Sequence, residues 1–208
     1  MLPKATNTIG ELRYRLRCID KLGYRFRGDD RLLDVGSGDG GVARLLRPRV
    51  AEVVAVDVES SEQWGDDEDG IEFMVASGEE LPFEDSEFDL IHSKDSLHHM
   101  DDPQKAIQEY RRVLRPGGGA ALIVEANRYN PIFFVHMTKM LGHEHFPRRR
   151  FHELVRAGFP DATFGSFDAH FVPQAERVLQ VQEAFENALE RIPGVSRLIS
   201  YNYSIAPR

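Results

Sequence analysis

The stretch Arg31–Leu46, R-L-L-D-V-G-S-G-D-G-G-V-A-R-L-L, narrows the possible folds more than any other part of the chain. Arg31 to Val35 is a short apolar run broken by Asp34. Gly36, Gly38, Gly40 and Gly41 crowd the next six residues, and from Val42 the apolar residues recur at helical spacing. This pattern is a strand, a tight turn and a helix. Glycines let a backbone approach a ligand closely, and the helix that follows offers unpaired N–H groups at its start. The natural occupant is a nucleotide-like ligand. Gly36, Gly38 and Gly41 also satisfy G-x-G-x-x-G, so a dinucleotide is one reading and a purely structural glycine turn is another.

Asp34 discriminates among these readings. A carboxylate two positions before the first glycine repels a pyrophosphate and attracts ammonium and sulfonium cations. With it, the segment resembles motif I of the class I S-adenosylmethionine-dependent methyltransferases, apolar-apolar-Asp-apolar-Gly-x-Gly-x-Gly, matched by Leu32, Leu33, Asp34, Val35, Gly36, Gly38 and Gly40. Glu52–Asp57 reads as a buried strand ending in an acid, about twenty residues after the turn, where one carboxylate accepts from two ribose hydroxyls. Capping of the next element is the alternative role for Asp57. Ile71–Val75 reads as a third strand. The segment after it, Ala76 to Phe83, is similar to the family's Asp-Ala-x-x-Leu-Pro-Phe, with Ser77 at the Asp position and Gly78 at the Ala position. A serine hydroxyl accepts from an adenine amino group more weakly than a carboxylate does, so a modest cofactor affinity is expected. Phe88–Ser93 reads as the fourth strand, and its continuation ends Leu97-His98-His99-x-x-Asp102-Pro103, as in the family. Pro103 then opens a helix to Leu114. Arg115 to Gly119 turns the chain into a fifth strand, Ala120–Glu125.

The resemblance covers residues 31–125. It implies an α/β, Rossmann-like, doubly wound seven-stranded sheet in the order 3-2-1-4-5-7-6, with strand 7 antiparallel. The implied cofactor is S-adenosyl-L-methionine, held by Asp34, Gly36, Ser37, Gly38, Asp57, Val58, Ser77, Gly78, Glu79 and Ser93. Arg13 stands first among Arg13, Tyr14 and Arg17 for the cofactor carboxylate, although no motif selects one. The implied reaction is in-line methyl transfer to an O, N or C nucleophile of a small molecule. His98 or His99 would serve as the base, or else would pack or cap the next helix. The acceptor would be met by Asn127, Tyr129, Phe133, His136, His143 and His145, in the aromatic and histidine-rich segment after the fifth strand where the family places substrate-binding insertions. Packing in the core is the competing role for the apolar members. A nicotinamide oxidoreductase leaves Asp34 and the Leu97-His98-His99 run without a job. A non-catalytic S-adenosylmethionine-binding module acting through a partner would keep Asp34 and Asp57.

Composition sets the outer bounds. With 208 residues and 41% hydrophobic content, one domain over 1–208 is expected. It divides into an N-terminal helical cap (1–30), a cofactor-binding core (31–125), a substrate-side helical insertion (126–160), and C-terminal strands and helix (161–208). No run of about 18 apolar residues offers a membrane span. A single cysteine, Cys18, excludes an internal disulfide and suits a cytoplasmic protein, with Cys18 in a packing role. Net charge is −8; residues 59–102 carry sixteen acids against Lys94, which disfavours a nucleic-acid partner, and a monomer or homodimer is expected. Ala5–Arg27 reads as an amphipathic helix with an Ile9, Leu12, Leu16, Ile19 stripe and a solvated basic face. In the polar stretch Glu59–Gly70 the family's usual helix is short or absent, and Trp64 is assigned to packing rather than adenine stacking. His136, His143, His145 and His152 lack nearby cysteines, so no metal is expected. Arg148 to Arg150 read as a solvated helix start or an anion-holding group. Helix Phe151–Ala157, strand Thr163–Phe167, helix Glu176–Arg191 and strand Leu198–Ala206 complete the expected order.

Overall fold

The computed structural model describes residues 9–64, 70–130, 145–169, 176–192 and 201–208. Its strands are β1 (Arg31–Val35), β2 (Glu52–Asp57), β3 (Ile71–Val75), β4 (Leu90–Lys94), β5 (Ala120–Ala126), β6 (Thr163–Phe167) and β7 (Tyr201–Pro207). They form one sheet in the order β3-β2-β1-β4-β5-β7-β6. All pairings are parallel except those of β7, which runs antiparallel to both β5 and β6. This is the order that the resemblance implied.

β1, β4 and β5 lie inside the sheet and are covered on both faces, which is why each reads as a nearly continuous apolar run. Strand alternation divides their side chains between two cores. On one face Leu33, Ile91 and Ile123 pack with Ile107 and Tyr110 of α3 (Pro103–Val113) and with Phe151 and Val155 of α4 (Arg148–Gly158). On the other, Leu32, Leu90 and Leu122 pack with Cys18 and Ile19 of α1 (Ile9–Asp20) and with Ala43 and Leu46 of α2 (Gly41–Leu46). Pro103 sits where its missing N–H costs nothing, and Asp102 caps α3 by accepting from the Gln104 and Lys105 amides, both at 3.1 Å. A further helix, α5 (Glu176–Glu190), lies along α1.

Four expectations change. α1 ends at Asp20 rather than Arg27, because the chain tightens through Leu22 N–H to the Ile19 carbonyl at 3.2 Å and Gly23 N–H to Asp20 at 3.1 Å. Its buried face is set by Cys18 and Ile19, while Leu12 stays 46% exposed. Its basic face is not simply solvated: Arg17 meets Glu186 at 2.9 Å and Lys21 meets Glu190 at 2.5 Å, because α5 covers that side. Within the expected insertion, α4 is a core-facing helix of the sheet's flank, with Phe151 fully buried. Residues Glu59 to Trp64 carry no helix.

Candidate cofactor and acceptor site

The crevice opens at the carboxyl ends of β1, β2, β3 and β4, where an open α/β sheet places its ligands. Gly36, Gly38 and Gly40 take φ values of 76°, 55° and 76°, a region that side chains resist. Gly36 N–H and Ser37 N–H both donate to the Val56 carbonyl, at 2.9 and 3.0 Å, and pin the turn to β2. A Cβ on Gly36 would lie 2.3 Å from Ser96 Cβ, whereas one on Gly38 would meet nothing within 4 Å and would project into open space.

The larger of two adjoining cavities in this crevice is about 610 Å³. Val35, Gly36 and Gly38 form one wall, Asp57 and Val58 a second, Ala76 to Glu79 a third, and Asp95, Ser96, His99, Met100 and Asp101 the fourth. Asp57 Oδ2 accepts from Gly38 N–H at 2.8 Å and Oδ1 from Glu59 N–H at 3.3 Å. Ser77 Oγ accepts from Glu79 N–H at 3.2 Å. The glycine at 78 has a packing cause, since a Cβ there would sit 2.6 Å from Met100 Cε and 2.9 Å from Val35 Cγ1. Trp64 stacks on Phe73 with centroids 5.2 Å apart and donates to the Gly38 carbonyl at 2.8 Å, so it buttresses the turn.

A smaller hollow of about 200 Å³ shares Gly36 and Gly38 with the larger cavity and is lined by Tyr14, Arg15, Asp34, Ser37, Asp39, His92 and Lys94 among others. Asp34 is buried; its Oδ1 lies 2.7 Å from His92 Nδ1, while Oδ2 has no hydrogen-bond partner among the described residues. Arg15 bonds both carboxylate oxygens of Asp39, at 2.7 and 2.6 Å, and also Glu11. The Arg13 expectation is corrected: its guanidinium lies 3.6 Å from Glu183 of α5, because the helical turn places it on the face away from the hollow. Arg17 lies on that same outer side, against Glu186. Tyr14 and Arg15 are the α1 side chains that face the crevice. Lys94 donates to Tyr14 Oη at 3.0 Å and to Asp95, with Tyr201 Oη at 3.4 Å. Burial works against its charge, but Asp95 outweighs burial and holds the ammonium well above the usual lysine range. Burial also pushes the Cys18 thiol up to about 11, in keeping with a packing role.

On the wall after β4 the two histidines separate. His99 is exposed and lines the cavity. His98 stands behind it, ring centroids 4.1 Å apart, with its side chain 3% exposed and Nδ1 2.7 Å from Glu125 Oε2. Burial alone would lower the His98 pKa, and the Glu125 hydrogen bond and charge reverse this and raise it. Leu97 N–H donates to Glu125 Oε1 at 2.8 Å. Ser93 is a correction: its hydroxyl is fully buried and bonds Ser96 Oγ at 2.6 Å and Tyr110 Oη at 3.1 Å, because strand alternation turns it into the core. Ser96 takes its place on the cavity wall. Of the residues expected to meet an acceptor, Asn127 and His145 are buried and Tyr129 is exposed, while Phe133, His136 and His143 lie outside the described residues. His145 packs edge-on to His98 at 4.3 Å. Arg15, Lys94, Asp95, Ser96, Met100 and Glu125 were missed by sequence reasoning. Only the position of Glu125, an acid closing an apolar strand, carried a readable signal.

Sheet order, glycine turn and crevice together define a Rossmann-like fold of the methyltransferase type. Residues 33–122 match the family described as methyltransferase domain. A glycine/sarcosine/dimethylglycine N-methyltransferase of Actinopolyspora halophila is 31% identical over 77% of this chain and 31% of its own length. A ubiquinone/menaquinone biosynthesis C-methyltransferase of Hahella chejuensis is 35% identical over 55% of this chain and 49% of its own. The chain thus spans half or less of the length of these curated relatives. The solved YcgJ protein of Bacillus subtilis superposes with a TM-score of 0.65 at 20% identity, covering 94% of this chain and 99% of that one. A phosphoethanolamine N-methyltransferase of Haemonchus contortus, solved with S-adenosyl-L-methionine, gives 0.64 at 20% identity over 94% and 53%. The residues present fit that cofactor: the Asp34 oxygen suits a cationic group, and the space beyond Gly38 is a cradle that a Cβ would fill. No helix among the described residues is long and apolar enough to cross a membrane.

Proposed function

We propose that the chain transfers a methyl group to an O, N or C nucleophile of a small molecule that enters beside Ser96, His99 and Met100. The observation that carries this reading is the meeting of the two hollows on one glycine turn, with an acid at each side: Asp57 on the larger, Asp34 on the smaller. When bound, S-adenosyl-L-methionine supplies a methyl group already activated by sulfonium. Asp57 accepts from the ribose hydroxyls, Gly78 N–H and Ser77 meet the adenine, and Asp34 faces the cationic end. His99 would take the proton of an O or N nucleophile, and the walls around it would hold the acceptor in line and exclude water. Relatives that methylate glycine derivatives and quinones support a small acceptor over a polymer. The acidic stretch 59–102 and the single buried cysteine support action on a non-nucleic-acid substrate in the cytoplasm. Calorimetric titration with S-adenosylmethionine, S-adenosylhomocysteine and NAD in parallel tests the reading. Saturable binding of the two adenosyl ligands at roughly micromolar strength, about −8 kcal/mol, with none of NAD, is expected. Binding of NAD alone would overturn it.

A further inference from the structure

We propose that His98, Glu125 and His145 form a site for one divalent transition-metal ion, of which zinc(II) is the type, behind the acceptor wall of the crevice. Three ligand atoms, one from each residue, already lie within 4.8 Å of one another. They come from three places in the chain: His98 from the turn after β4, Glu125 from the end of β5, and His145 from the segment before α4. Side-chain burial is nearly complete, at 3% and 1% exposed for His98 and Glu125. His145 is 3% exposed. The arrangement exceeds what a hydrogen-bonded pair requires. Beside the Glu125–His98 bond, a third side chain able to ligate converges on the pair from a separate segment.

Two imidazoles and one carboxylate are a recurring zinc donor set, and three protein ligands leave a coordination position for water or an acceptor oxygen. Bonds of about 2.0–2.2 Å place ligand atoms roughly 3–3.5 Å apart. Occupation therefore requires the 2.7 Å His98–Glu125 contact to open by a few tenths of an ångström, and the widest separation, at most 4.8 Å, to close by about 1.3 Å. Side-chain rotation covers both changes. The Leu97 N–H bond at 2.8 Å holds the second oxygen of Glu125, as outer-shell donors hold ligating carboxylates. His99, whose ring lies 4.1 Å from that of His98, links the site to the cavity. The local spacing of histidines did not point to this ion, because two of its three ligands lie outside the histidine-rich segment.

The test uses the full chain after treatment with a chelator. It is titrated with zinc(II) by calorimetry and with cobalt(II) by visible absorption, with no acceptor or cofactor present. One ion per chain is expected, with cobalt bands characteristic of mixed nitrogen and oxygen ligation. Glu125→Gln and His145→Asn should each weaken binding by at least about 100-fold, since even outer-shell losses reach 10–100-fold. His152→Ala, whose ring stacks on Phe164 at 4.0 Å, should leave it unchanged. Thermal melts and S-adenosylhomocysteine binding of the variants confirm that they fold. Absence of saturable binding, or binding that survives both ligand substitutions in folded protein, overturns the proposal. Because S-adenosylhomocysteine titration is scored separately, loss of the metal site leaves the methyltransferase reading standing, and the converse also holds.

Discussion

Asp57 holds the crevice together at the residue level, receiving the Gly38 amide on one oxygen and the Glu59 amide on the other. Replacing a charged acceptor leaves its donors unmatched, so Asp57→Ala is expected to weaken S-adenosylhomocysteine binding by about 1.5–3 kcal/mol, read by calorimetry. An unchanged dissociation constant would place the ribose elsewhere. Gly38→Ala tests the neighbouring cradle. The substitution forces a side chain into φ 55°, at about 1–2 kcal/mol, and points its methyl into open cavity, so both melting temperature and ligand affinity should fall. His99→Ala should lower kcat by about 10²–10⁴ with an acceptor identified from a panel of amines, phenols and carboxylates, while ligand binding persists. Retained turnover would remove His99 from the mechanism.

Among the elements, α1 is the one whose role changed most between sequence and structure. Its periodicity marked a basic face, but spacing alone does not say which guanidinium turns toward the sheet. Arg15 ties α1 to the glycine turn through Asp39, whereas Arg13 faces α5. Arg15→Ala should therefore speed amide exchange across α1 and weaken S-adenosylhomocysteine binding, and Arg13→Ala should do neither. Equal effects would break the assignment. α4 was expected from Phe151 onward as part of an acceptor-side insertion, yet its apolar side seals the sheet through Phe151, Leu154 and Val155. Phe151→Ala should cost about 3–5 kcal/mol in chemical denaturation, a loss that a peripheral helix would not show.

For the molecule as a whole, acid stability follows from carboxylates tied between elements. Burial works against Asp39 and Asp89, but Arg15 with the Gly41 amide, and the Arg31 amide with Arg115, outweigh it and hold both below the ordinary carboxylate value. Arg112 does the same for Glu109. Folded values below unfolded ones mean that the stabilisation is full above about pH 4 and disappears as pH falls through the folded values. On the acid limb urea midpoints should drop below about pH 4, with a shallower drop in Asp39→Asn. An identical slope in that variant would exclude Asp39 as a contributor. The strands, the glycine turn and the Pro103 start of α3 between residues 31 and 125 were legible in the amino-acid order, because apolar runs, clustered glycines and a proline act on a few neighbouring residues; the Asp102 cap was seen only in the structure. The side-chain partnerships were not legible. Tyr14 meets Tyr201 across 187 residues, Arg15 meets Asp39 across 24, and His98, Glu125 and His145 converge from three segments. Those meetings depend on how helices and sheet stack and on the angle at which each helix lies, which only burial of both faces of the sheet decides.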